Sequence, residues 1–251
     1  MALPLTSIRD VGRSGRLNIC FSPLRGRTVL GHLYQETPFK ITRLHYRRDS
    51  SLARVIVMQS TAGLFGGDRL EARFHVERGA RVLLTSQAAT KVHPSCGLPA
   101  SQLVRISVED GGELHYYVDP LIPFADSNLR QKISIELGSK ARFYYWDGLM
   151  AGRVKRGEQW RFSELISETS LFVDAKLAFI DRFQLCPSQD SPSRQWRMGR
   201  HSYMATGMAH DPSIDENYLE RFRAKLGPTD LDLVYGLDIP YQRLMVGRFL
   251  S

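Results

Sequence analysis

The sequence has few cysteines and lacks the short motifs by which common enzymes bind metals, nucleotides or acyl groups. Three cysteines, Cys20, Cys96 and Cys186, are an odd and widely spaced set that does not suit a disulfide framework. There is no CxxC pair, HExxH helix, P-loop or G-x-S-x-G nucleophile elbow. No run of about 18 apolar residues predicts a membrane span, and the N-terminal segment lacks a signal-peptide pattern. We therefore expect a cytoplasmic protein without a membrane partner.

The charge is basic, but its distribution does not indicate a nucleic-acid partner. The net charge is +8, and basic residues are spread from Arg9 to Arg248. Their clusters carry neither an RNP-like aromatic pattern nor zinc-finger spacing, so we expect no nucleic acid to bind. Hydrophobic residues make up 43% of the 251 residues, which is enough for a core. We expect a single domain over residues 1–251.

Three segments share one pattern of strand, glutamate, one residue, glycine, small residue and strand. They read RFHVERGARVLLTS, RISVEDGGELHYYV and KISIELGSKARFYYW, at residues 73–86, 105–118 and 132–146. A two-residue step ending in glycine between alternating apolar runs is typical of a β-hairpin. The pattern predicts three hairpins with Glu77, Glu109 and Glu136 at the mouths of their turns.

The arms of these units alternate between apolar and polar residues, so each has one face to bury. Repetition of similar units predicts that they stack side by side. The expected fold is mainly β, a two-layer, β-helix-like stack of hairpin units with a small C-terminal helical part. An ordinary β-sandwich with three similar turns is the alternative. We also expect strands at 39–46, 53–60 and 170–179, a loop at 186–200, and a helix at 213–226 capped by Ser213.

A polar or glycine-rich loop follows each repeat: TSQAATKVHPS at 85–95, DPLIPF at 119–124 and DGLMAGRVKRGE at 147–158. If the units stack in register, the three loops emerge on one side and form a shared surface or cavity. A further segment, STAGLFGGDRL at 60–70, carries three glycines typical of a tight reversal or a close approach of two backbones.

No complete constellation for catalysis or metal binding is present. His93 and Cys96 supply two ligands where a structural zinc needs four. Met and His residues between Met198 and His210 could bind a soft ion, although their alternation favours core methionines. Loop carboxylates such as Asp119, Asp147 or Glu158 could serve a β-helix carbohydrate-active enzyme, or could simply be turn residues.

Several longer strings carry a family resemblance. They are PFKITR at 38–43, GGDRL at 66–70, LTSQAATKV at 84–92, DPLIPFA at 119–125, Gln131, and D-x4-GR-x2-RGE from Asp147 to Glu158. In this order, over residues 17–183, the sequence resembles the urease accessory proteins UreD, called UreH in some bacteria.

The resemblance implies a non-enzymatic role in urease maturation. Members of this family bind the accessory protein UreF and, through UreF, the GTPase UreG, and they dock on apo-urease to assist nickel insertion. An internal channel is the proposed nickel route, so transient Ni²⁺ passage without a tightly bound cofactor is implied. The residues expected at a channel or docking surface are Asp68, Thr85, Gln87, Thr90, Lys91, Asp119, Phe124, Asp147, Arg153 and Glu158, with His93 and Cys96 as weak metal candidates.

Two departures from the family pattern affect these expectations. His93 stands where the family usually has tyrosine. This histidine either adds a transient nickel contact or changes nothing. The sequence ends at GRFLS, where the family generally continues into a C-terminal helix, so a partner contact made by that helix is in question.

Overall fold

A computed structural model describes residues 12–47, 51–195, 197–227 and 232–251. The elements in chain order are β1 (Ser14–Leu24), β2 (Arg27–Gln35), β3 (Phe39–Ile41), β4 (His45–Tyr46), β5 (Ala53–Gln59), β6 (Arg69–Val76), β7 (Arg81–Ser86), β8 (Thr90–Val92), β9 (Ala100–Val108), β10 (Glu113–Tyr117), β11 (Leu121–Pro123), β12 (Asn128–Leu137), β13 (Arg142–Met150), a 3-10 turn (Val154–Arg156), β14 (Glu164–Val173), β15 (Lys176–Leu185), β16 (Tyr203–His210), α1 (Glu216–Leu226), β17 (Val234–Tyr241) and β18 (Leu244–Leu250).

The strands form two sheets that face each other across one core. The first has the order β15-β14-β12-β9-β6-β1-β2, and the main path of the second is β17-β18-β16-β13-β10-β7-β5-β3. In the centre of each sheet the neighbours are parallel: β6, β9 and β12 in the first, and β7, β10 and β13 in the second. Antiparallel strands extend both sheets towards their edges. This arrangement confirms the predicted two-layer, β-helix-like stack.

The predicted hairpin pairing within each repeat is wrong. The arms on either side of each turn belong to different sheets, so β6 does not bond to β7, nor β9 to β10, nor β12 to β13. Each turn instead carries the chain from one layer to the other, and the repeats pair with each other in parallel. Gly79 and Gly111 have the positive φ angles that the pattern predicts. The third turn differs, because Glu136 still lies inside β12 and Gly138 does not have a positive φ.

The alternation predicted for the arms is confirmed, because every inward position is at most 7% exposed. These core residues are Phe74, Val76, Val82, Leu84, Ile106, Val108, Leu114, Tyr116, Ile133, Ile135, Ala141 and Phe143. Burying a side chain of this size contributes about 1.5–3 kcal/mol, so the two facing layers are held together mainly by this core.

Several predicted boundaries need correction. Residues 39–46 form two short strands, β3 and β4, and residues 170–179 are not one strand, because β14 and β15 form a hairpin there. Asp174 and Ala175 take positive φ at its turn, without the glycine that usually indicates such a turn. The helix begins at Glu216, and its N-cap is Asp215 rather than Ser213, because the Asp215 side chain accepts a hydrogen bond from the Tyr218 amide.

The predictions of a loop at 186–200 and of core methionines are confirmed. The described residues between β15 and β16 contain no regular helix or strand. Met198 and Met208 are buried in the core, as core methionines should be. Among the described residues, no helix is both long and apolar enough to cross a membrane.

A ladder of charged side chains crosses three strands of the second sheet. The register aligns Glu113 with Arg81 on one side and with Arg142 on the other. Arg81 donates two hydrogen bonds to the Glu113 carboxylate, at 3.0 and 3.1 Å, and His115 Nε2 lies 2.9 Å from Glu113 Oε1. These partners, His115 foremost, lower the pKa of Glu113 to about 2.

Candidate functional site

The loops that follow the three repeats meet on one flank of the stack. The segment 85–95 is not entirely loop, because it contains β8, which pairs in parallel with β11 of the second loop. Lys91 is aligned with Ile122 in this pairing, and Leu121 of β11 pairs with Leu149, which lies in the part of the predicted third loop that belongs to β13. The common flank predicted from the repeats is therefore present.

The glycine-rich segment 60–70 approaches this flank closely, as predicted. A Cβ atom on Gly63 would lie 2.3 Å from the Lys91 carbonyl oxygen, and Gly63 has a φ of +145°. The Leu64 amide donates to the same oxygen, and Leu64 forms an isolated parallel bridge with Val92. A side chain at residue 63 would push β8 away, so glycine is required here.

A cavity of about 170 Å³ lies between the two sheets below these loops; we call it the outer cavity. Five of the residues predicted from the sequence line it: Gln87, Thr90, Lys91, Asp119 and Asp147. Its other polar lining residues are Gln59, Thr61, Ser86, Gln102 and Gln131. The space is large enough for several waters, so the polar groups need not pair with each other.

A second, smaller cavity of about 30 Å³ adjoins the first; we call it the inner cavity. The two share Leu121, Gln131 and Asp147 as lining residues. The inner cavity adds hydroxyl groups from Ser167, Thr169 and Thr206. Amide, hydroxyl and carboxylate groups thus line both of the adjoining cavities.

Asp147 occupies the junction of the two cavities. Its Oδ2 atom accepts hydrogen bonds from the Tyr145 hydroxyl at 3.1 Å and from Gln131 Nε2 at 3.4 Å. Asp147 is half-buried and lines both cavities. Burial raises the pKa of Asp147 to about 6, although the hydrogen-bond donors lower it in part. A carboxylate in this state can exchange a proton or a cation near neutral pH.

Two further carboxylates line the cavities, one in each. Asp119 is exposed at the outer cavity. Its backbone amide donates a hydrogen bond to the Ser86 hydroxyl at 2.8 Å, and that hydroxyl donates to the Asp119 carboxylate at 2.9 Å. Asp181 lines the inner cavity and is paired with Arg248. Asp181 is not among the site residues predicted from the sequence. Recognising the turn at Asp174 would have indicated it, because alternation then places Asp181 on the same face of β15 as Phe179 and Phe183.

Next to the outer cavity, stacked rings and an ion pair form a patch that we call the aromatic surface. It consists of Phe65, His93, Phe124, Arg153 and Glu158. The His93 ring stacks on Phe65 at 4.3 Å and meets the edge of Phe124 at 5.0 Å. The Arg153 guanidinium lies 4.0 Å from the centre of the Phe124 ring. Arg153 also donates two hydrogen bonds to Glu158, one of them at 2.7 Å, which lowers the pKa of Glu158.

Two predicted residues neither line the cavities nor belong to the aromatic surface. Asp68 is buried, and its two carboxylate oxygens accept from the backbone amides of Arg13 and Phe65, both at 2.9 Å. It therefore anchors the glycine-rich segment. Thr85 is half-buried in β7, between Ile56 and Tyr117 of the neighbouring strands.

The weak metal candidates do not form a larger cluster. Within the described residues, no third His, Cys, Asp or Glu side chain comes close enough to His93 and Cys96 to complete a set of three ligands. His93 Nε2 lies 3.2 Å from the Ala62 carbonyl oxygen, and Cys96 is exposed. For the carbohydrate-active alternative, Glu158 is an unfavourable general acid, because its pairing with Arg153 lowers its pKa instead of raising it.

Comparison with known proteins identifies the family. A sequence model described as UreD urease accessory protein matches residues 13–251, well beyond the 17–183 of the resemblance noted above. A urease accessory protein UreD of Halalkalibacterium halodurans is 30% identical over 86% of this chain and 80% of its own length. The UreD of Deinococcus radiodurans is 32% identical, over 78% and 70%. A urease accessory protein UreH of Helicobacter hepaticus is 27% identical, over 79% and 78%. The chain therefore belongs to the UreD family of urease accessory proteins.

Proposed function

We propose that this protein is a non-catalytic urease maturation factor. In this role it binds UreF, is joined through UreF to the GTPase UreG, docks on apo-urease, and conducts Ni²⁺ towards the urease active site in the cytoplasm. Membership of the UreD family supports a part in urease maturation. The particular partners and the passage of nickel are proposals that rest on the cavities and on the neighbouring surface.

The observation that carries the proposal is that two adjoining cavities with polar linings share Asp147. A conduit must hold Ni²⁺ weakly enough to release it, which favours carboxylate, amide and hydroxyl oxygens with water over sets of His and Cys ligands. Among the described residues that line the two cavities, none is His or Cys. Asp119, Asp147 and Asp181 supply negative charge along the route, which lowers the free energy of a divalent cation inside the protein.

The aromatic surface is the proposed docking site for a protein partner. Exposed aromatic rings and arginine are enriched among the residues that contribute most to binding at interfaces. Phe65 is 45% exposed, and Arg153 is already oriented by Phe124 and Glu158. His93 contacts Ala62, which lines the outer cavity, so a partner bound here would lie beside the cavity.

The experiment expresses urease with its accessory proteins and measures complex formation, nickel content and urease activity separately. We expect Asp147→Asn to retain UreF and apo-urease in a pull-down while the nickel content and activity of urease fall. We expect Phe124→Ala to weaken the pull-down itself. Leu177→Ala removes an exposed apolar side chain on β15 and serves as a control that should change neither.

Different results would overturn different parts of the proposal. If urease that matures with the Asp147→Asn variant acquires a full complement of nickel, the cavities are not the route. If the folded wild-type protein captures neither UreF nor apo-urease, the scaffold role is wrong.

A further inference from the structure

Cys20, His75 and Glu77 lie together on the outer face of the first sheet, away from the two cavities. The parallel pairing of β1 with β6 places Cys20 directly beside His75. Their chain neighbours Ile19 and Phe74 are buried in the core, so alternation directs Cys20 and His75 outwards. One ligand atom from each of the three side chains lies within 4.8 Å of the other two, and Cys20 Sγ is 3.4 Å from Glu77 Oε1.

These three groups are a suitable ligand set for a borderline divalent cation. A thiolate and a carboxylate carry two negative charges, which balance one M²⁺ ion, and a neutral imidazole completes a set that Zn²⁺ binds readily. Zn²⁺ needs ligand distances of roughly 2.0–2.3 Å, which modest side-chain movements from the present spacing would give. We propose that Cys20, His75 and Glu77 form a binding site for a zinc-like divalent cation. The site is independent of the proposed nickel conduit.

The surroundings of His75 fit the same role. His75 Nδ1 is 2.7 Å from the Ser107 hydroxyl, so an Nδ1–H donated to Ser107 leaves Nε2 free to bind a metal. Glu109 Oε1 lies 3.3 Å from that Nε2, while Glu109 Oε2 is held by the Arg78 amide at 3.0 Å. Glu109 does not belong to the set of three whose ligand atoms all lie within 4.8 Å of one another, so its side chain would have to move to become a fourth ligand.

A groove gives an ion access to the cluster. It has a volume of about 430 Å³, and Cys20, His75 and Ser107 are among the residues that line it. Burial and the Glu77 carboxylate raise the pKa of Cys20, so the thiol is protonated when no metal is bound. A metal must displace this proton, so its binding releases H⁺ and its affinity rises with pH.

Glu77 of the cluster and the neighbouring Glu109 belong to the repeated turn pattern. Glu77 and Glu109 each follow the last residue of a parallel strand, and β6 and β9 are neighbours in the first sheet. The pattern thereby places two carboxylates side by side at one end of the sheet. Neither glutamate lines the outer or the inner cavity.

The test titrates the full-length protein, metal-free and reduced, with Zn²⁺ in competition with a chromophoric chelator. Co²⁺ serves as an optical probe, because a sulfur-to-cobalt charge-transfer band appears only when a thiolate binds the metal. We expect Cys20→Ser to abolish this band and His75→Gln to weaken Zn²⁺ binding by more than about tenfold. Ser107→Ala should weaken binding by roughly 10–100-fold with the band retained, as outer-shell changes do.

Cys186→Ser is the matched control. Cys186 is also half-buried beside a carboxylate, with its Sγ 3.6 Å from Glu164 Oε1, but within the described residues it belongs to no set of three ligands. The Cys186→Ser variant should leave the cobalt band and the Zn²⁺ affinity unchanged, and the Asp147→Asn variant should do the same. Circular dichroism checks that each variant is folded; if Cys20→Ser is not, His75→Gln and Ser107→Ala carry the test. A cobalt band that persists in Cys20→Ser, or a Zn²⁺ affinity equal to wild type in folded His75→Gln, would overturn the site.

Discussion

Replacing Asp147 by asparagine should make the protein more stable and less functional. Asparagine has nearly the same shape and keeps an oxygen that can accept from Tyr145 and Gln131. What it removes is a negative charge that burial disfavours. The pKa of Asp147 is raised from 3.8 to about 6, a shift of roughly two units, which corresponds to about 3 kcal/mol.

The sign of the pH dependence follows from the direction of this shift. The folded protein binds the Asp147 proton more tightly than the unfolded chain does, so stability falls as pH rises from 3.8 to about 6. Above that range the folded state carries the whole cost of the buried charge. Asp147→Asn should therefore raise the free energy of unfolding by at most about 3 kcal/mol near pH 7, and have almost no effect near pH 4. Water in the cavities lowers this value, which makes it an upper limit.

Urea denaturation at both pH values measures this difference directly. Each kcal/mol raises the melting temperature of a chain of this size by about 2–4 °C, so thermal unfolding near pH 7 should shift by up to roughly 10 °C. Asp181→Asn is the matched control in the inner cavity, because it breaks the pairing with Arg248 and should be destabilising. A destabilised Asp147→Asn, or an equal gain at both pH values, would refute the reasoning. A gain in stability together with a loss of nickel transfer identifies a residue retained for function.

Three further predictions concern the framework around the site. Glu113→Gln should lower the free energy of unfolding by roughly 2 kcal/mol near neutral pH, allowing for the exposure of Arg81. Because the pKa of Glu113 is lowered from 4.5 to about 2, this stabilisation is complete above pH 4.5 and disappears towards pH 2; urea denaturation between those values should follow that course, and a pH-independent loss would contradict it. Gly63→Ala should destabilise by about 1–3 kcal/mol, because its Cβ meets the Lys91 carbonyl oxygen, and it should also impair nickel delivery. Asp215→Ala should cost about 1 kcal/mol in thermal unfolding, whereas Ser213→Ala should cost less, and neither should change urease activation; equal losses would mean that the cap is misassigned.

Much of the architecture follows from local patterns in the sequence. The alternation of residues such as Phe74 and Val76 decides which side chains face the core, because side chains on a strand point to opposite faces in turn. The repetition of three similar units predicts their stacking, and stacking predicts that the loops after them share one flank. The residues predicted from the family strings include five that line the outer cavity and three of the aromatic surface, namely Phe124, Arg153 and Glu158, whereas Phe65 and His93 lie outside those strings.

The partner of each strand depended on tertiary structure. A turn such as Glu77 to Ala80 can close a hairpin or carry the chain to the opposite sheet, and both outcomes satisfy the same alternation. Only the second gives β6 and β7 a separate parallel neighbour in each layer and buries their apolar faces against each other. Local periodicity does not distinguish a hairpin from a crossing to the opposite sheet, because the contacts that favour the crossing come from other repeats.

The sites also depended on tertiary structure, because their members are distant in the chain. Asp147 and Asp181 line one cavity because two layers meet there, and Cys20 lies beside His75 because β1 pairs in parallel with β6. Burial then raised the pKa of Asp147, a property of the surrounding protein that the residue type does not reveal. The sequence specified the chemical groups and the faces on which they lie, whereas long-range packing specified which groups meet and how strongly their charges are perturbed.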